Sequence, residues 1–433
     1  MTPTYRTLAA ALLTATCLTT TLPARAQPAP AAAPPAAPAA APAAPEPGPA
    51  PAFGSPEWIS GIKFGAQFEG GVVFNTTSPS NGLNFGQLFT DRSNQATLNQ
   101  ALITLGRTID PKTTGFDVGF KLQFMYGADA RYTHFLGVFD HATSDRYQVD
   151  ITEANVTMRL PVLTEGGIDL KAGMYSTPMG LETIDPSTNP FYSHSYIFNF
   201  GLPLKHTGLY TITHLSDVVD LHLGVDTGIN TTFGSGQGDN NGAAAFLGGL
   251  GFNLLDGKLT ILALTHIGPE NAVHAVGSVA NSRQRYSNDV LLTYKVDDKL
   301  TLTTEANLIR DDLANANGFG AAQYISYALT DTWTLNGRAE IFRDDKGFFV
   351  AAYPRNLDPV NVLGGFPNQS FGAGPTTFSE FTVGATWKPE MPAPVASLQV
   401  RPELRYDQAL TSNKPFSGRS NALTLAADIV IGF

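Results

Sequence analysis

Large apolar residues alternate with polar or small residues along most of the chain from residue 59 onward. In the clearest segment, 116–126, every second residue is large and apolar: Phe116, Val118, Phe120, Leu122, Phe124 and Tyr126. The positions between them are mostly polar or small: Asp117, Gly119, Lys121, Gln123 and Met125. An amphipathic helix would group its apolar residues three and four apart, so a period of two predicts a strand. One apolar and one polar face are what a strand between lipid and water requires.

The same alternation recurs often enough to predict the fold class. Soluble sandwiches also alternate, so the number of repeats carries the prediction of an all-β, transmembrane, antiparallel up-and-down barrel of about sixteen strands. The predicted strands are 59–74, 98–109, 116–126, 147–160, 168–175, 207–215, 219–229, 245–254, 259–267, 286–296, 300–309, 320–329, 333–343, 378–388, 397–407 and 421–433. The weakest are 207–215, 245–254 and 320–329, which leaves fourteen to eighteen strands open.

Connection lengths support a barrel independently. Tight links are predicted at 110–115, 255–258, 297–299 and 330–332. Long polar or Gly-rich links alternate with them at 75–97, 127–146, 176–206, 230–244, 268–285, 310–319, 344–377 and 408–420. Short periplasmic turns and longer external loops are typical of outer-membrane barrels, and an even strand count places both termini in the periplasm. Whether 176–206 or 344–377 folds into the lumen is left open.

The N-terminus has the features of an export signal. Arg6 is followed by the apolar stretch 8–18, and Ala24-Arg25-Ala26 provides the small-x-small pattern for cleavage before Gln27. The apolar stretch is too short to cross roughly 30 Å of hydrocarbon as a helix. We therefore predict a cleaved signal peptide and export to the outer membrane of a Gram-negative bacterium.

The segment after the signal is a tether by composition. Residues 28–56 are almost entirely Ala, Pro and Gly, which favours extended polyproline conformations. Cys17, the only cysteine, lies in the signal, and Thr16 before it disfavours a lipoprotein. The chain thus divides into a signal peptide (1–26), an Ala/Pro-rich periplasmic linker (27–58) and an outer-membrane β-barrel (59–433).

Charge narrows the classes of partner. Removal of Arg6 and Arg25 with the signal leaves 25 basic against 37 acidic residues, a formal charge of −12. An acidic chain is a poor partner for nucleic acid. Charged residues make up only 15% of the sequence, below the roughly 25% of soluble domains. The expected partners are outer-membrane lipids, the barrel-assembly machinery and small hydrophilic solutes, with a homo-oligomer left open.

The C-terminus carries a specific pattern. Apolar residues alternate up to the last residue: Leu423, Leu425, Ala427, Ile429, Ile431 and Phe433. This resembles the terminal strand that the assembly machinery of outer-membrane proteins recognises, so Phe433, Ile431 and Ile429 are the candidate assembly signal. The last strand must also pair with the first to remove both sheet edges.

Three stretches resemble a known family. They are Leu170–Glu182 (LKAGMYSTPMGLE), Asn189–Tyr196 (NPFYSHSY) and Lys205–Gly208 (KHTG). Together they resemble the porin-2, OmpL-like family of outer-membrane β-barrels. The resemblance implies a pore in the outer membrane and brings no established catalytic or ligand residues.

Charged residues on the polar faces of the strands are the candidate pore-lining residues. An Arg or Lys on the lipid face near the midplane would cost about 2–4 kcal/mol, so these side chains should face water. Opposed basic and acidic groups would create a transverse field that screens permeating ions. The simpler alternative is that they solvate the lumen or pair across strands. The candidates are Lys121, Glu153, Arg159, Lys171, Arg338, Glu340, Arg401, Glu403 and Arg405.

The sequence gives little indication of metal binding or catalysis. The segment Gly234–Gly242 resembles a single calcium-binding nonapeptide, but such sites need several stacked copies. Histidines and serines are scattered, and the sequence contains no G-x-S-x-G elbow. We therefore predict no enzyme, no cofactor and no metal site. The expected function is passive diffusion of small hydrophilic solutes or ions. The alternative is a structural or adhesive barrel with an occluded lumen, whose external loops bind a partner.

Overall fold

Sixteen antiparallel strands close into a single barrel in the computed structural model, which describes residues 50–110, 113, 115–234 and 238–433. The barrel strands are β1 Lys63–Asn75, β2 Gln95–Arg107, β3 Asp117–Gly127, β4 Gln148–Leu160, β5 Ile168–Ser176, β6 Lys205–His214, β7 Val219–Asp226, β8 Ala245–Leu254, β9 Leu259–Gly268, β10 Arg285–Lys295, β11 Leu300–Asp311, β12 Ala316–Ala328, β13 Trp333–Asp344, β16 Thr376–Trp387, β17 Ser397–Ala409 and β18 Asn421–Gly432. Two short strands, β14 Ala351–Ala352 and β15 Phe371–Gly372, form a separate hairpin. The prediction of an up-and-down barrel is confirmed.

All sixteen predicted strands are present, including the three weakest. The largest difference in a connection is at 310–319, which was expected to be a long link. β11 continues to Asp311 and β12 begins at Ala316, so the two strands are joined by four residues. The lumen face of β12 begins with Ala316, Gly318 and Gly320, whose small side chains conceal the alternation. A Cβ at Gly320 would overlap Ile197, so the small residue there has a packing reason.

Closure depends on the pairing of the first and last strands. β1 pairs with β18 from Gln67 opposite Gly432 to Asn75 opposite Thr424. Beyond the ladder, the Phe433 N–H donates to the Ala66 carbonyl at 2.8 Å. Every barrel strand therefore has a neighbour on each side, which leaves no open sheet edge.

The two faces of β3 are as predicted from the alternation. Phe124 and Tyr126 are 49% and 47% exposed on the outside, whereas Asp117 and Met125 are buried on the lumen side. A strand with large apolar residues on the outer face fits a lipid-facing wall. Among the described residues, no helix is both long enough and apolar enough to cross a membrane.

The two ends of the barrel differ in their connections. The end that carries residues 50–62 and Phe433, called the turn end, has short links at 215–218, 255–258, 296–299 and 329–332. The opposite end, called the loop end, carries the longer connections as well as the four-residue link between β11 and β12. The 345–375 connection contains a helix, Asp358–Gly364, and packs on other loops there: Arg92 Nη2 donates to the Pro354 carbonyl at 3.0 Å.

A short helix precedes the barrel. The predicted linker extended to residue 58 and the first strand began at 59, whereas the helix α1 spans Pro56–Ser60 and β1 begins at Lys63. The Ser55 hydroxyl caps α1, and the Trp58 indole N–H donates to the Val118 carbonyl at 2.8 Å. The predicted signal peptide and most of the linker lie outside the described residues and stay predictions.

Candidate functional site

The connection between β5 and β6 lies inside the barrel. These residues, 177–204, are called the inner loop, and they include a 3₁₀ turn at Pro186–Thr188 and a π-helical turn at Ile197–Gly201. Tyr196 and Ile197 are fully buried. Because loops normally lie on the surface, such burial requires partners for the backbone polar groups. Charged side chains of the barrel wall are those partners.

Wall carboxylates accept hydrogen bonds from the backbone of the inner loop. Glu340 on β13 accepts from the N–H groups of Tyr196 at 2.7 Å and Ile197 at 2.8 Å. Glu403 on β17 accepts from the Tyr192 N–H at 2.9 Å. A buried carboxylate without hydrogen-bond partners is costly. These bonds therefore hold the inner loop in place and also supply partners for the buried carboxylates of the wall.

Three wall arginines donate to the inner loop as well. Arg338 Nη1 donates to Glu182 at 2.6 Å and to the Ser193 carbonyl at 2.9 Å. Arg401 donates to the Pro186 and Asn189 carbonyls at 2.6 Å and 2.8 Å, and Arg405 donates to the His194 carbonyl at 2.6 Å. The guanidinium groups thereby bind the loop along the wall formed by β13, β16 and β17.

The wall charges also neutralise one another. Arg338 pairs with Glu380 on β16 at 2.9 Å, and Arg405 pairs with Asp407 at 2.8 Å. Arg401 pairs with Asp428 and, at 3.2 Å, with Glu69. Buried ions persist only where such pairing compensates for lost hydration. This side of the lumen is therefore a buried network of paired charges and not a channel wall of free charges.

His194 lies within the inner loop and is buried. Its ring stacks on Phe198 with centroids 4.3 Å apart, and Asn189 Nδ2 lies 3.1 Å from its Nε2. Burial lowers the pKa of the His194 imidazole to about 4, so the ring is neutral at neutral pH. Burial by itself would raise the pKa of Glu182, but the Arg338 guanidinium holds it below its usual value. The ion pair between Glu182 and Arg338 is therefore retained at neutral pH.

Small residues on the wall make room for the inner loop. A Cβ at Gly71 on β1 would lie 2.6 Å from the Tyr192 ring. On the loop-end side, Phe89 packs edge-on against Phe198 at 5.5 Å, and Tyr196 stacks on Phe378 at 4.9 Å. The inner loop is thus packed on several sides and narrows the lumen.

A cavity remains at the turn end, on the wall formed by β1 to β5. Its volume is about 480 Å³, and its charged lining includes Lys63, Lys121, Glu153 and Lys171. We call this cavity, with these four charged residues, the basic vestibule. Lys121 Nζ lies 3.7 Å from Glu153 Oε1, and the Lys121 side chain is 40% exposed. Arg107 also borders the cavity, but its charge is paired with Asp117 at 2.7 Å.

The nine candidate pore-lining residues all project from the lumen face but differ in surroundings. Lys121, Glu153 and Lys171 line the basic vestibule. Arg159 pairs with Asp169 at 2.8 Å near the turn end. The other five bind the inner loop or its neighbours: Arg338, Glu340, Arg401, Glu403 and Arg405.

Sequence reasoning missed several partners of these charges. Glu69 and Glu380 lie on lumen faces, each next to an outward-facing phenylalanine, Phe68 or Phe381, which is a weaker form of the signal that identified Glu340 and Glu403. Glu182 is in a connection, where alternation gives no signal. Its role depends on contact with Arg338, which is 156 residues away in sequence.

Comparison with known sequences decides the family. The sequence profile of the family described as "putative beta-barrel porin-2, OmpL-like" matches residues 61–433. The chain belongs to this family. The predicted resemblance is therefore confirmed, and the match covers the whole barrel. No curated protein sequence matches the chain significantly.

Solved structures of other porins share the fold. OmpF of Salmonella typhi, in complex with daunomycin, superposes with a TM-score of 0.51 at 11% identity, covering 86% of this chain and 97% of that one. An anion-selective porin from Comamonas acidovorans gives 0.50 at 9% identity, covering 86% and 99%. At such identities the likeness shows the fold alone. Family and fold together support an outer-membrane channel as the general function of this porin-2 protein.

Proposed function

We propose that the protein is a narrow passive channel for small hydrophilic solutes or ions, in which the inner loop restricts the lumen. The observation that carries this proposal is the inner loop itself. Its backbone is bound by Glu340, Glu403 and Arg405 on one wall, while a cavity remains beside β1 to β5. A loop that fills part of the lumen and leaves a cavity beside it supports a narrow passage rather than a wide pore.

The basic vestibule favours anions among the permeating ions. It presents three lysines against the single carboxylate of Glu153, so its net charge is positive. Cations are repelled and anions attracted where lining charges of one sign are concentrated in a confined space. The negative charges of the opposite wall are paired with arginines and contribute less to this field.

Reversing two vestibule charges should reverse the selectivity. In the double variant Lys121→Glu and Lys171→Glu, Lys63 would face three carboxylates, so we expect the reversal potential in a KCl gradient to change from anion to cation preference. The matched control is Lys414→Glu, an exposed lysine in the 410–420 connection at the loop end. An unchanged preference in the double variant would contradict the vestibule assignment.

The second candidate function is a structural or adhesive barrel with an occluded lumen. It is favoured by the apolar packing of the inner loop, where Ile197, Phe198 and Tyr196 are buried against neighbouring loops and the wall. In this alternative the exposed loop-end connections would bind the partner. The two functions differ in conductance, since an occluded barrel would be silent in a planar bilayer.

Assembly should depend on the last residue. Phe433 is 47% exposed, and its ring lies 6.1 Å from that of Phe68 at the seam between β18 and β1. We expect Phe433→Asp to lower the amount of heat-modifiable barrel in the outer membrane, because a charge there disturbs the seam and the proposed assembly signal. Leu410→Asp, an exposed apolar residue outside the seam, is the control. Wild-type levels of assembled Phe433→Asp protein would argue against this role.

A further inference from the structure

Two histidines and an aspartate meet at the loop end of the barrel. His206 is the second residue of β6, Asp226 is the last residue of β7, and His266 lies near the end of β9. Their side chains are almost fully buried. One imidazole nitrogen from each histidine and one carboxylate oxygen lie within 4.8 Å of one another. The three residues are called the His-Asp-His cluster.

The strand register brings the cluster together across three neighbouring pairings. Asp226 is opposite Gly208 on β6 and Ala245 on β8, while His266 is opposite Leu247 on β8. Because Ala245 is small, the side chain from β9 reaches Asp226 over β8. The barrel therefore places ligand-type atoms from three strands at one point, without any sequence motif.

Two of the four atoms that face each other in the cluster lack a hydrogen bond. His206 Nδ1 and Asp226 Oδ2 lie 3.0 Å apart, yet neither makes a hydrogen bond of acceptable geometry with any described residue. His266 Nε2 and Asp226 Oδ1, by contrast, are joined by a hydrogen bond of 3.1 Å. Buried polar atoms without partners are costly, and an ion between them would remove that cost.

The outer nitrogens of both rings have partners that suit metal binding. His206 Nε2 lies 3.1 Å from Thr177 Oγ1, and His266 Nδ1 faces Glu270 Oε1 at 3.8 Å. Each ring would then bind through the nitrogen that faces Asp226 and donate its other N–H outward. Histidine ligands are usually oriented in this way by such a second hydrogen-bond acceptor.

We propose that the His-Asp-His cluster binds one divalent transition-metal ion, with Zn²⁺ the expected occupant. Two imidazole nitrogens and one carboxylate oxygen suit Zn²⁺, whereas Ca²⁺ and Mg²⁺ prefer sets made of oxygen atoms. A fourth position is left for water. The cavity of about 390 Å³ at the loop end is lined in part by Glu270, whose Oε1 lies 3.8 Å from His266 Nδ1, so this cavity comes within one side chain of the cluster.

The ion would add a direct link between elements that are otherwise joined only through the strand pairings of the barrel. It would tie β6, β7 and β9 together, and through His206 it would fix Thr177, the first residue of the inner loop. Occupancy would therefore stabilise the attachment of the inner loop as well as the barrel rim. The simple alternative is a metal-free hydrogen-bonded network of the same three side chains.

Metal titration of the folded, full-length protein in detergent distinguishes a metal site from a metal-free hydrogen-bonded network. After removal of metal with a chelator, we expect the wild type to bind one Zn²⁺ per chain and to unfold at a higher temperature when it is bound. We expect His206→Ala and His266→Ala each to weaken Zn²⁺ binding at least about tenfold, since even replacing a residue that only hydrogen-bonds to a ligand costs that much. The controls His141→Ala and His274→Ala alter exposed histidines and should bind as the wild type does.

Two further readouts keep the test decisive. Heat-modifiable gel mobility identifies variants that fold, and His266→Gln replaces any alanine variant that does not. Visible absorption of Co²⁺ bound to the wild type, with the intensity of a four- or five-coordinate ion, supports the site independently of any variant. The proposal is overturned if the folded wild type binds no Zn²⁺, if binding survives both substitutions, or if the control variants abolish it.

Discussion

Replacing Leu122 with arginine is expected to destabilise the barrel by about 2–4 kcal/mol, because the charge would enter the hydrocarbon near the membrane midplane. Leu122 is the central residue of β3, is 38% exposed on the outer face and lies opposite Leu105 on β2. The two residues paired with it, Leu105 on β2 and Ala154 on β4, carry no charge that could neutralise an arginine. The measurement is the free energy of unfolding in lipid vesicles from a urea or guanidinium titration.

The neighbouring residue provides the control. Lys121→Glu changes a side chain that faces the vestibule, so we expect the barrel to keep its stability within about 1 kcal/mol, the scale of an exposed ion pair. Because adjacent residues of a strand point to opposite faces, a register error of one residue would invert the two outcomes. Phe120 is less informative, since Trp58 packs 6.4 Å from its ring near the turn end.

Replacing Arg338 with methionine is expected to release the inner loop and enlarge the pore. The substitution leaves Glu182 and Glu380 buried without their common cation, and breaking such a pair costs about 3–5 kcal/mol. The strand ladders do not depend on this side chain, so the barrel should still form. We expect a higher single-channel conductance and faster uptake of larger sugars by proteoliposomes.

The matched change for Arg338 is Arg310→Met, which breaks a pair with Asp312 at the loop-end rim, where the arginine side chain is 38% exposed. It should leave conductance and sugar uptake as in the wild type. If Arg338→Met folds with wild-type conductance, the arginine does not hold the inner loop. If both variants enlarge the pore equally, loss of an arginine charge rather than the loop contact is responsible.

The barrel could be predicted from the sequence because the same local constraint acts on every strand. Each strand separates lipid from the lumen, which imposes a period of two on segments such as 116–126 and on the strand that ends at Phe433. The same rule placed Glu340 and Glu403 on the inner face. It failed at 310–319, where glycines occupy the lumen face. A Cβ at Gly318 would overlap Ile309, and one at Gly320 would overlap Ile197 of the inner loop.

The path of the inner loop could not be predicted in this way. Its position depends on contacts between distant residues, such as Arg405 with the His194 carbonyl, 211 positions apart. The His-Asp-His cluster was hidden for the same reason, because its members lie on three strands with no motif spacing. Alternation identifies which way a side chain points but not which residue it meets across the lumen.

Single-channel recording in planar bilayers tests the central proposal most directly. The purified wild-type barrel is inserted into a lipid bilayer between KCl solutions, and the current is followed at constant voltage. We expect small, discrete conductance steps and a reversal potential that indicates a preference for chloride over potassium. A folded barrel that inserts but produces no current steps would contradict a diffusion channel and favour the occluded, partner-binding alternative.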